Sequence, residues 1–225
     1  MCGRINVSSG PLTLLFMDMV SQPYPGEDRH NMAPTEPVVV LRSTALGALE
    51  TATMRWWLTP YWSKEMSTRY SMFNAKAETL ATSAAFKEPL VRRRCVVPIA
   101  GFYEWAKLRT PKIAYHASVY PPHAFALAAI WEAWRRDRQS IETFAILTTT
   151  PNGLVGKVHD RMPVMIRPED FDKWLDRGTK PPKLKHLFKP YPAKWMALAQ
   201  VGDWVDDPRH DDPRCLAPPA EAGKE

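Results

Sequence analysis

Proline is the residue that most restricts how this chain can fold. The sequence has 22 prolines among 225 residues but only ten glycines, and this proline share is about double the usual one. Proline cannot donate a backbone hydrogen bond, so it belongs at strand edges, in first helical turns and in stiff loops. The prolines therefore indicate a strand-rich fold with rigid connections rather than a low-complexity chain.

Three short helices are predicted among the strands. One covers 12–20 and has Pro11 at its first position, where a helix needs no N–H donor. A second, rich in alanine, covers 77–88 and should end or kink at Pro89. A third begins at Pro168, which is followed by two acidic residues.

Apolar runs dense in β-branched and aromatic residues predict the strands. They cover 4–8, 37–42, 49–58, 95–108 with a bend near Gly101, 112–120, 124–133, 141–150 and 163–166. Residues 21–36, rich in proline and charge, are predicted as a loop. Many short strands with few helices indicate an α+β fold. We expect a single domain over 1–205, built on a curved, barrel-like, mostly antiparallel sheet with a few flanking helices.

The net charge of +6 is unevenly distributed along the chain. Residues 201–225 carry seven acidic and three basic residues, which leaves 27 basic and 17 acidic residues, a net charge of +10, in 1–200. A surplus of this size suits a polyanionic partner, although a basic protein without such a partner fits the charge equally well. We predict an acidic, disordered tail over 206–225.

Several classes of protein are disfavoured by the sequence. It contains no run of about 18 apolar residues, as a membrane span requires, and its start lacks the basic-then-apolar pattern of a secretory signal. Three scattered cysteines (Cys2, Cys95 and Cys215) are too few for a disulfide framework or a zinc site. We therefore expect a reducing compartment, which in a bacterial source would be the cytoplasm, and neither a metal nor an organic cofactor.

Cys2 offers the most distinctive chemistry in the sequence. A small residue at position 2 permits removal of Met1, which would leave Cys2 with a free α-amine and a thiol, both partly nucleophilic near neutral pH. Such a 1,2-aminothiol condenses with an aldehyde to an imine, and the thiol then closes a five-membered thiazolidine ring. A cysteine at a frayed terminus is otherwise most often inert, so its companions decide how it is interpreted.

Three polar residues in strand-like, apolar motifs could accompany Cys2. Glu104 stands in PIAGFYEW, where desolvation would make a proton donor available near neutral pH, although a solvated strand glutamate fits the local sequence equally well. His159, in HDRMPV, can exchange protons or simply hydrogen-bond a loop backbone. Asn74, in NAKAET, can orient the Cys2 amine or only satisfy backbone groups.

These motifs occur in a characteristic order along the chain. MCGR opens the sequence, and NMAPT, WWLTPYW, NAKAET, GFYEW and VHDRMPVMI follow. In this order they resemble the SRAP family (SOS response-associated peptidase, abasic-site processing proteins) from residue 1 to about 166. The resemblance implies an α+β fold around a barrel-like sheet and a cleft for single-stranded DNA. It also implies that Cys2 is the crosslinking nucleophile and that Asn74, Glu104 and His159 support it.

The same resemblance indicates residues that would bind DNA. Trp62 and Trp105 stand where the family pattern has exposed tryptophans, on which bases can stack, although most tryptophans are core residues. Arg4, Lys76 and Arg161 lie in or beside the motifs and are candidate phosphate contacts. The family pattern more often has arginine at the position of Lys76, and lysine lacks the bidentate geometry of arginine.

We therefore predict a sensor of abasic sites in single-stranded DNA, in which Cys2 forms a covalent thiazolidine crosslink after loss of Met1 and shields the lesion during the DNA damage response. A lyase side reaction and autoprocessing of Met1 are compatible with such a site. The alternatives are an N-terminal-nucleophile amidohydrolase, a peptidase that uses Cys2, and a non-catalytic single-stranded DNA-binding module. The expected state is a cytoplasmic monomer, associated with the nucleoid when bound to DNA.

Overall fold

The structure is a computed structural model that describes residues 2–106, 112–121 and 123–220. The strands are β1 (Ile5–Val7), β2 (Arg29–Met32), β3 (Pro37–Ser43), β4 (Leu49–Trp56), β5 (Asn74–Lys76), β6 (Arg94–Ile99), β7 (Gly101–Trp105), β8 (Ala114–Val119), β9 (Phe125–Arg136), β10 (Gln139–Thr149), β11 (Met162–Pro163), β12 (Met165–Ile166) and β13 (Met196–Val201). The α-helices are α1 (Ser9–Val20), α2 (Lys87–Arg92) and α3 (Phe171–Leu175), and short 3₁₀ turns connect many of the elements.

Five of the strands close into a barrel. β10 pairs with β4, β4 with β3, β3 with β6, and β6 with β9, which returns to β10. Of these pairings only β4 with β10 is parallel. β5 and β11 both pair with the C-terminal half of β10, and β12 pairs with β9. Closure removes the open edges that a free sheet would expose.

A second sheet of five antiparallel strands packs beside the barrel, in the order β13-β8-β7-β1-β2. The predicted α+β domain on a mostly antiparallel, barrel-like sheet is therefore confirmed. Close packing explains the glycine at the start of β7. A Cβ on Gly101 would lie 2.0 Å from Nε2 of His116 on β8, a distance that no side chain can accept.

β6, most of β9 and the C-terminal part of β10 are buried on both faces, which explains why they read as continuous apolar runs. On β10, Phe144 and Ile146 belong to a core cluster to which all five barrel strands contribute, and which continues from the barrel interior to the second sheet. The alternate residues Ala145 and Leu147 belong to a second cluster, outside the barrel, that includes residues of α3. One strand thus serves two cores through the simple alternation of its side chains.

Two predicted elements are wrong. The helix expected over 77–88 is instead a 3₁₀ turn at Ala77–Thr79, followed by turns and by α2, which begins at Lys87 and contains Pro89. Pro89 is tolerated because it lies in the first helical turn, where its N–H is not needed. The loop expected over 21–36 contains β2, which pairs with β1 through residues of the NMAPT region.

The expected disordered tail also needs correction over residues 206–220, which the structure describes as packed against the domain. Asp211 accepts hydrogen bonds from the backbone N–H groups of His30 (2.5 Å) and Asn31 (2.8 Å). Cys215, in the 3₁₀ turn Pro213–Leu216, is fully buried. The acidic sequence of this segment predicted exposure to solvent, but hydrogen bonds to β2 hold the segment against the domain.

A few expectations lie outside the described residues. They are the last two residues of the predicted strand 95–108 and the end of the tail, 221–225. Among the helices that the structure describes, none combines the length and the apolar character needed to cross a membrane.

Candidate active site

Four segments of the chain bring the predicted polar residues together. Cys2 precedes β1, and Glu104 lies on β7, the strand that pairs with β1. Asn74 opens β5, and His159 precedes β11; both of these strands pair with the end of β10. The four side chains therefore meet where the second sheet contacts the barrel. All are buried, with exposed fractions between 0% and 7%.

Cys2 is held by its backbone and surrounded by apolar atoms. Its carbonyl oxygen accepts a hydrogen bond of 2.8 Å from Nδ2 of Asn74. Burial raises the pKa of the Cys2 thiol, the negative charge of Glu104 raises it further, and a hydrogen bond from the backbone N–H of Arg4 only partly opposes this. The thiol is therefore protonated at neutral pH, and Glu104 lies close enough to act on it electrostatically.

Glu104 and His159 face one another inside the site. The distance between Oε2 of Glu104 and Nε2 of His159 is 3.8 Å. On its other side the imidazole accepts a hydrogen bond at Nδ1 from the backbone N–H of Arg161, at 3.0 Å. A neutral ring then carries its proton on Nε2, directed at Glu104. Oδ1 of the exposed Asp160, 3.1 Å from Nδ1, would stabilise the doubly protonated ring. These contacts therefore place the two titratable side chains of the site next to one another.

Arg161 and Lys76, two of the predicted phosphate contacts, lie near the end of β10. Arg161 forms a bidentate ion pair with Glu78, with N–O distances of 2.8 and 2.9 Å, and also donates to the carbonyl oxygen of Thr148 at 2.6 Å. The hydrogen bonds from Arg161 lower the pKa of Glu78. Lys76 is exposed and pairs in register with Thr148. Arg161 therefore already has a carboxylate partner, whereas Lys76 projects from the surface.

The remaining predicted cation, Arg4, lies in a cleft with Trp105. This cleft of about 400 Å³ is lined by Gly3, Arg4, Trp105, Lys112 and Asp206. The guanidinium carbon of Arg4 lies 5.6 Å from the centroid of the Trp105 ring, a distance typical of cation–π contact. Because Gly3 directly follows Cys2, the cleft adjoins the buried cysteine.

Trp62 lies apart from these residues. It lines a separate depression of about 550 Å³, together with Arg69 and Tyr70. None of the four buried residues of the Cys2 site, Cys2 included, is among the residues described as lining this depression. Its side chain is 45% exposed, and its ring meets that of Tyr61 edge-on at 5.0 Å. Trp62 is thus available for stacking at a distance from the cysteine.

Two neighbours of the predicted residues were missed by sequence reasoning. Glu78, the partner of Arg161, stands inside the NAKAET motif, so its position offered a signal. Asp206 accepts a hydrogen bond of 2.5 Å from Nε1 of Trp105, but it belongs to the acidic segment that was expected to be disordered. Nothing in the local sequence links it to a tryptophan 101 positions earlier.

The fold and this site define a class of small α+β barrel proteins with a cysteine-centred polar site next to the N-terminus. Residues 1–208 match the family model described as SOS response associated peptidase (SRAP). The chain belongs to this family.

Proteins from bacteria and animals are similar to the chain. The abasic site processing protein YoqW of Bacillus subtilis is 34% identical over 226 residues, covering 96% of this chain and 99% of YoqW. The abasic site processing protein HMCES of Gallus gallus is 28% identical and covers 73% of this chain and 56% of its own. A crystal structure of a protein from Bacteroides thetaiotaomicron superposes with a TM-score of 0.74 at 26% identity, covering 83% of this chain and 82% of that one.

Proposed function

We propose that this protein captures abasic sites in single-stranded DNA as a covalent adduct on Cys2 after removal of Met1. The observation that carries the proposal is the convergence of Cys2, Asn74, Glu104 and His159 from four distant segments into one buried site. Buried polar groups are unfavourable unless they are paired or used, so such a set marks a site of chemistry. The names of the similar proteins support the choice of substrate.

The reaction begins at the amine rather than at the thiol. The free α-amine of Cys2 adds to C1′ of the ring-opened deoxyribose, and the resulting carbinolamine loses water to give an imine. The thiol then adds to the imine carbon, its proton passes to the nitrogen, and a thiazolidine ring closes. One C–N and one C–S bond form for each water released. Because a thiazolidine forms through an imine, the amine acts first and the thiol closes the ring.

Glu104 supplies the main proton transfers of adduct formation in this scheme, and His159 assists. Opening the sugar and expelling water both require a proton to be delivered and then recovered, and such transfers typically contribute about 10²–10⁴-fold to rate. The approach of Glu104 to His159 provides a donor and an acceptor side by side. Asn74 fixes the Cys2 carbonyl and so orients the amine on the same residue.

An imine at C1′ also makes the C2′ proton more acidic. A base in the site can then remove that proton and break the strand by β-elimination, which is the lyase side reaction. His159, whose ring bridges Glu104 and the Arg161 backbone, is positioned for this step. Loss of Met1 would be the only proteolytic event that this scheme requires.

DNA reaches the site through the basic cleft of Arg4 and Trp105, which adjoins Cys2. The indole of Trp105 offers a stacking surface, and Arg4 and Lys112 favour a phosphate backbone. Unpaired bases can stack in this way, whereas bases in a duplex already stack on one another. Single strands are therefore the expected ligand.

Intact-mass spectrometry of the mature protein mixed with a uracil-excised single-stranded oligonucleotide tests the proposal. The expected product has the summed mass of both molecules minus one water, and the intact oligonucleotide gives none. Cys2→Ser should give only a hydrolysable imine that borohydride traps. Reversible binding without any adduct would instead favour the non-catalytic module. Hydrolysis of glutamine that depends on Cys2, with no adduct, would favour the amidohydrolase.

A further inference from the structure

The acidic C-terminal segment is a fixed part of the molecule, and we call residues 203–216 the C-terminal clamp. Nδ2 of the buried Asn31, on β2, lies within hydrogen-bond distance of the carbonyl oxygens of Val205 (3.1 Å), Asp207 (3.0 Å) and His210 (2.9 Å), which share its two protons. Within the clamp, Val205 and Cys215 are fully buried. The clamp therefore has a defined position against the second sheet.

This position puts a carboxylate into the cleft next to Cys2. Asp206 lines the cleft together with Arg4, Trp105 and Lys112. Its Oδ1 accepts the 2.5 Å hydrogen bond from Nε1 of Trp105. Nη1 of Arg4 donates to the neighbouring carbonyl oxygen of Val205 at 3.0 Å. A stacking ring, a guanidinium and an exposed carboxylate thus share one small space.

The clamp also compensates the charge that would attract DNA. Burial lowers the pKa of Arg4, and the negative charges of Glu36, Asp206 and Asp207 oppose this by favouring the charged guanidinium. Carboxylates of the protein itself therefore already balance part of the Arg4 charge. A phosphate that approaches Arg4 also meets Asp206, and two like charges at close range repel one another.

We propose that Asp206 is a specificity-determining residue that weakens the hold of the cleft on undamaged DNA. This inference rests on the proposed function. Its carboxylate competes with backbone phosphate for Arg4, so an intact strand binds weakly and leaves. An abasic strand is retained because the bond to Cys2, rather than ionic contact, holds it. The hydrogen bond to Trp105 keeps the carboxylate in place and orients the ring.

Charge and hydrogen bonding can be separated by substitution. Asp206→Asn keeps an oxygen that accepts from Trp105 but removes the charge, whereas Asp206→Ala removes both. Asp203→Asn is the matched control, because it removes one charge from an exposed residue of the same 3₁₀ turn that does not line the described cleft. Thermal melting of each variant verifies that the clamp still folds.

The experiment measures the binding of an intact single-stranded oligonucleotide by fluorescence anisotropy across a range of salt concentrations. Asp206→Asn should bind about three- to tenfold more tightly at low salt, and its log–log salt slope should steepen by about 0.7, the value for one additional phosphate contact. Asp203→Asn should stay within about twofold of the unmodified protein. Asp206→Ala should bind less tightly than Asp206→Asn because its ring is no longer fixed.

Two results would overturn this inference. Equal effects of Asp206→Asn and Asp203→Asn would show a general charge effect, and weaker binding by Asp206→Asn would show a purely structural carboxylate. The unmodified protein is tested in parallel on the abasic oligonucleotide. If it forms the adduct while either result holds, only the role of Asp206 is wrong; if it forms no adduct, the proposed function itself fails.

Discussion

The site around Cys2 and the depression around Trp62 are built in opposite ways. In the first, four polar side chains come from separate segments, are almost completely buried and are fixed by strand pairing on two sheets. In the second, Trp62, Tyr61 and Tyr70 come from one stretch between β4 and β5 and are 45% to 66% exposed. One region is assembled from segments far apart in the chain, whereas the exposed aromatic residues of the other all belong to a single connection.

We propose that this difference separates chemistry from binding. A buried, strand-held set keeps its groups at fixed distances, which proton transfer requires. Exposed rings on a loop can adapt to successive bases, which sequence-tolerant stacking requires. Substitutions in the two regions should therefore affect different measurements: the rate of capture in the first and the affinity for DNA in the second.

Apart from substitution of Cys2 itself, substitution of Glu104 should have the largest effect on the rate of adduct formation. Glu104→Gln keeps the shape of the side chain but cannot transfer protons, so adduct formation on saturating abasic DNA should slow by about 10²–10⁴-fold. Affinity for an oligonucleotide with an unreactive tetrahydrofuran lesion should change little. Single-turnover capture and anisotropy measure the two quantities. An unchanged capture rate would reduce Glu104 to a structural residue.

Substitution of His159 should affect strand cleavage and adduct formation to different extents. In His159→Ala, strand cleavage by β-elimination should fall by about 100-fold, whereas the yield of the adduct should fall much less, because the proposed mechanism assigns the primary nucleophile to Cys2. Gel analysis of cleaved strand against crosslinked protein gives both values from one reaction. A variant that binds DNA normally but forms no adduct would contradict this division of labour.

The opposite pattern is expected in the depression. Trp62→Ala removes one stacking surface, worth about 1–3 kcal/mol per base, so affinity for single strands should fall about five- to 160-fold. The capture rate at saturation should be unchanged. Leu46→Ala is the matched control, since Leu46 is a 97% exposed apolar residue in the turn between β3 and β4. If Trp62→Ala captured abasic sites more slowly at saturating DNA, the two regions would act as one site, and the proposed separation would be wrong.

The smallest effect on function should come from His116, which supports the strand that carries Glu104. Burial lowers the pKa of His116 from 6.5 to about 4, and its ring forms a 2.7 Å hydrogen bond with Asn6. Below about pH 6.5 His116 binds a proton in the unfolded chain, whereas in the folded chain it does so only near pH 4. Acidification from pH 6.5 to 4 therefore lowers the free energy of unfolding through this residue, by at most about 3 kcal/mol.

Denaturant unfolding of His116→Gln should show a shallower loss of stability across that pH range, with capture at pH 7.5 preserved. His123→Gln, at an exposed histidine, serves as the control and should retain the slope of the unmodified protein. Identical slopes in all three proteins would mean that His116 does not contribute to acid sensitivity.

Sequence patterns predicted most of the barrel strands but not how they are arranged. Apolar runs such as those of β9 and β10 are readable because their residues alternate between two cores. The parallel pairing of β4 with β10, which helps close the barrel, joins segments far apart along the chain. No local pattern encodes that contact, and the Ala-rich segment 77–88 shows how tertiary packing overrides helix propensity.

The site was only partly predictable for the same reason. Motif order indicated Cys2, Asn74, Glu104 and His159, because each places a polar group within apolar sequence. Distances such as the 3.8 Å between Glu104 and His159 depend on the two sheets meeting. Asp206 was missed because its partner Trp105 is remote in sequence and its neighbours are acidic.

The central claim is that Cys2 reacts through a free α-amine and its thiol together. The most direct measurement compares the mature protein with a version that carries an uncleavable residue ahead of Cys2, on the same abasic single strand, by adduct mass and survival of heating. The blocked protein keeps its thiol but has its amine locked in a peptide bond. It should therefore give at most a labile hemithioacetal, while the mature protein gives a heat-stable adduct. If the blocked protein crosslinks as fast and as stably as the mature one, the aminothiol mechanism is wrong.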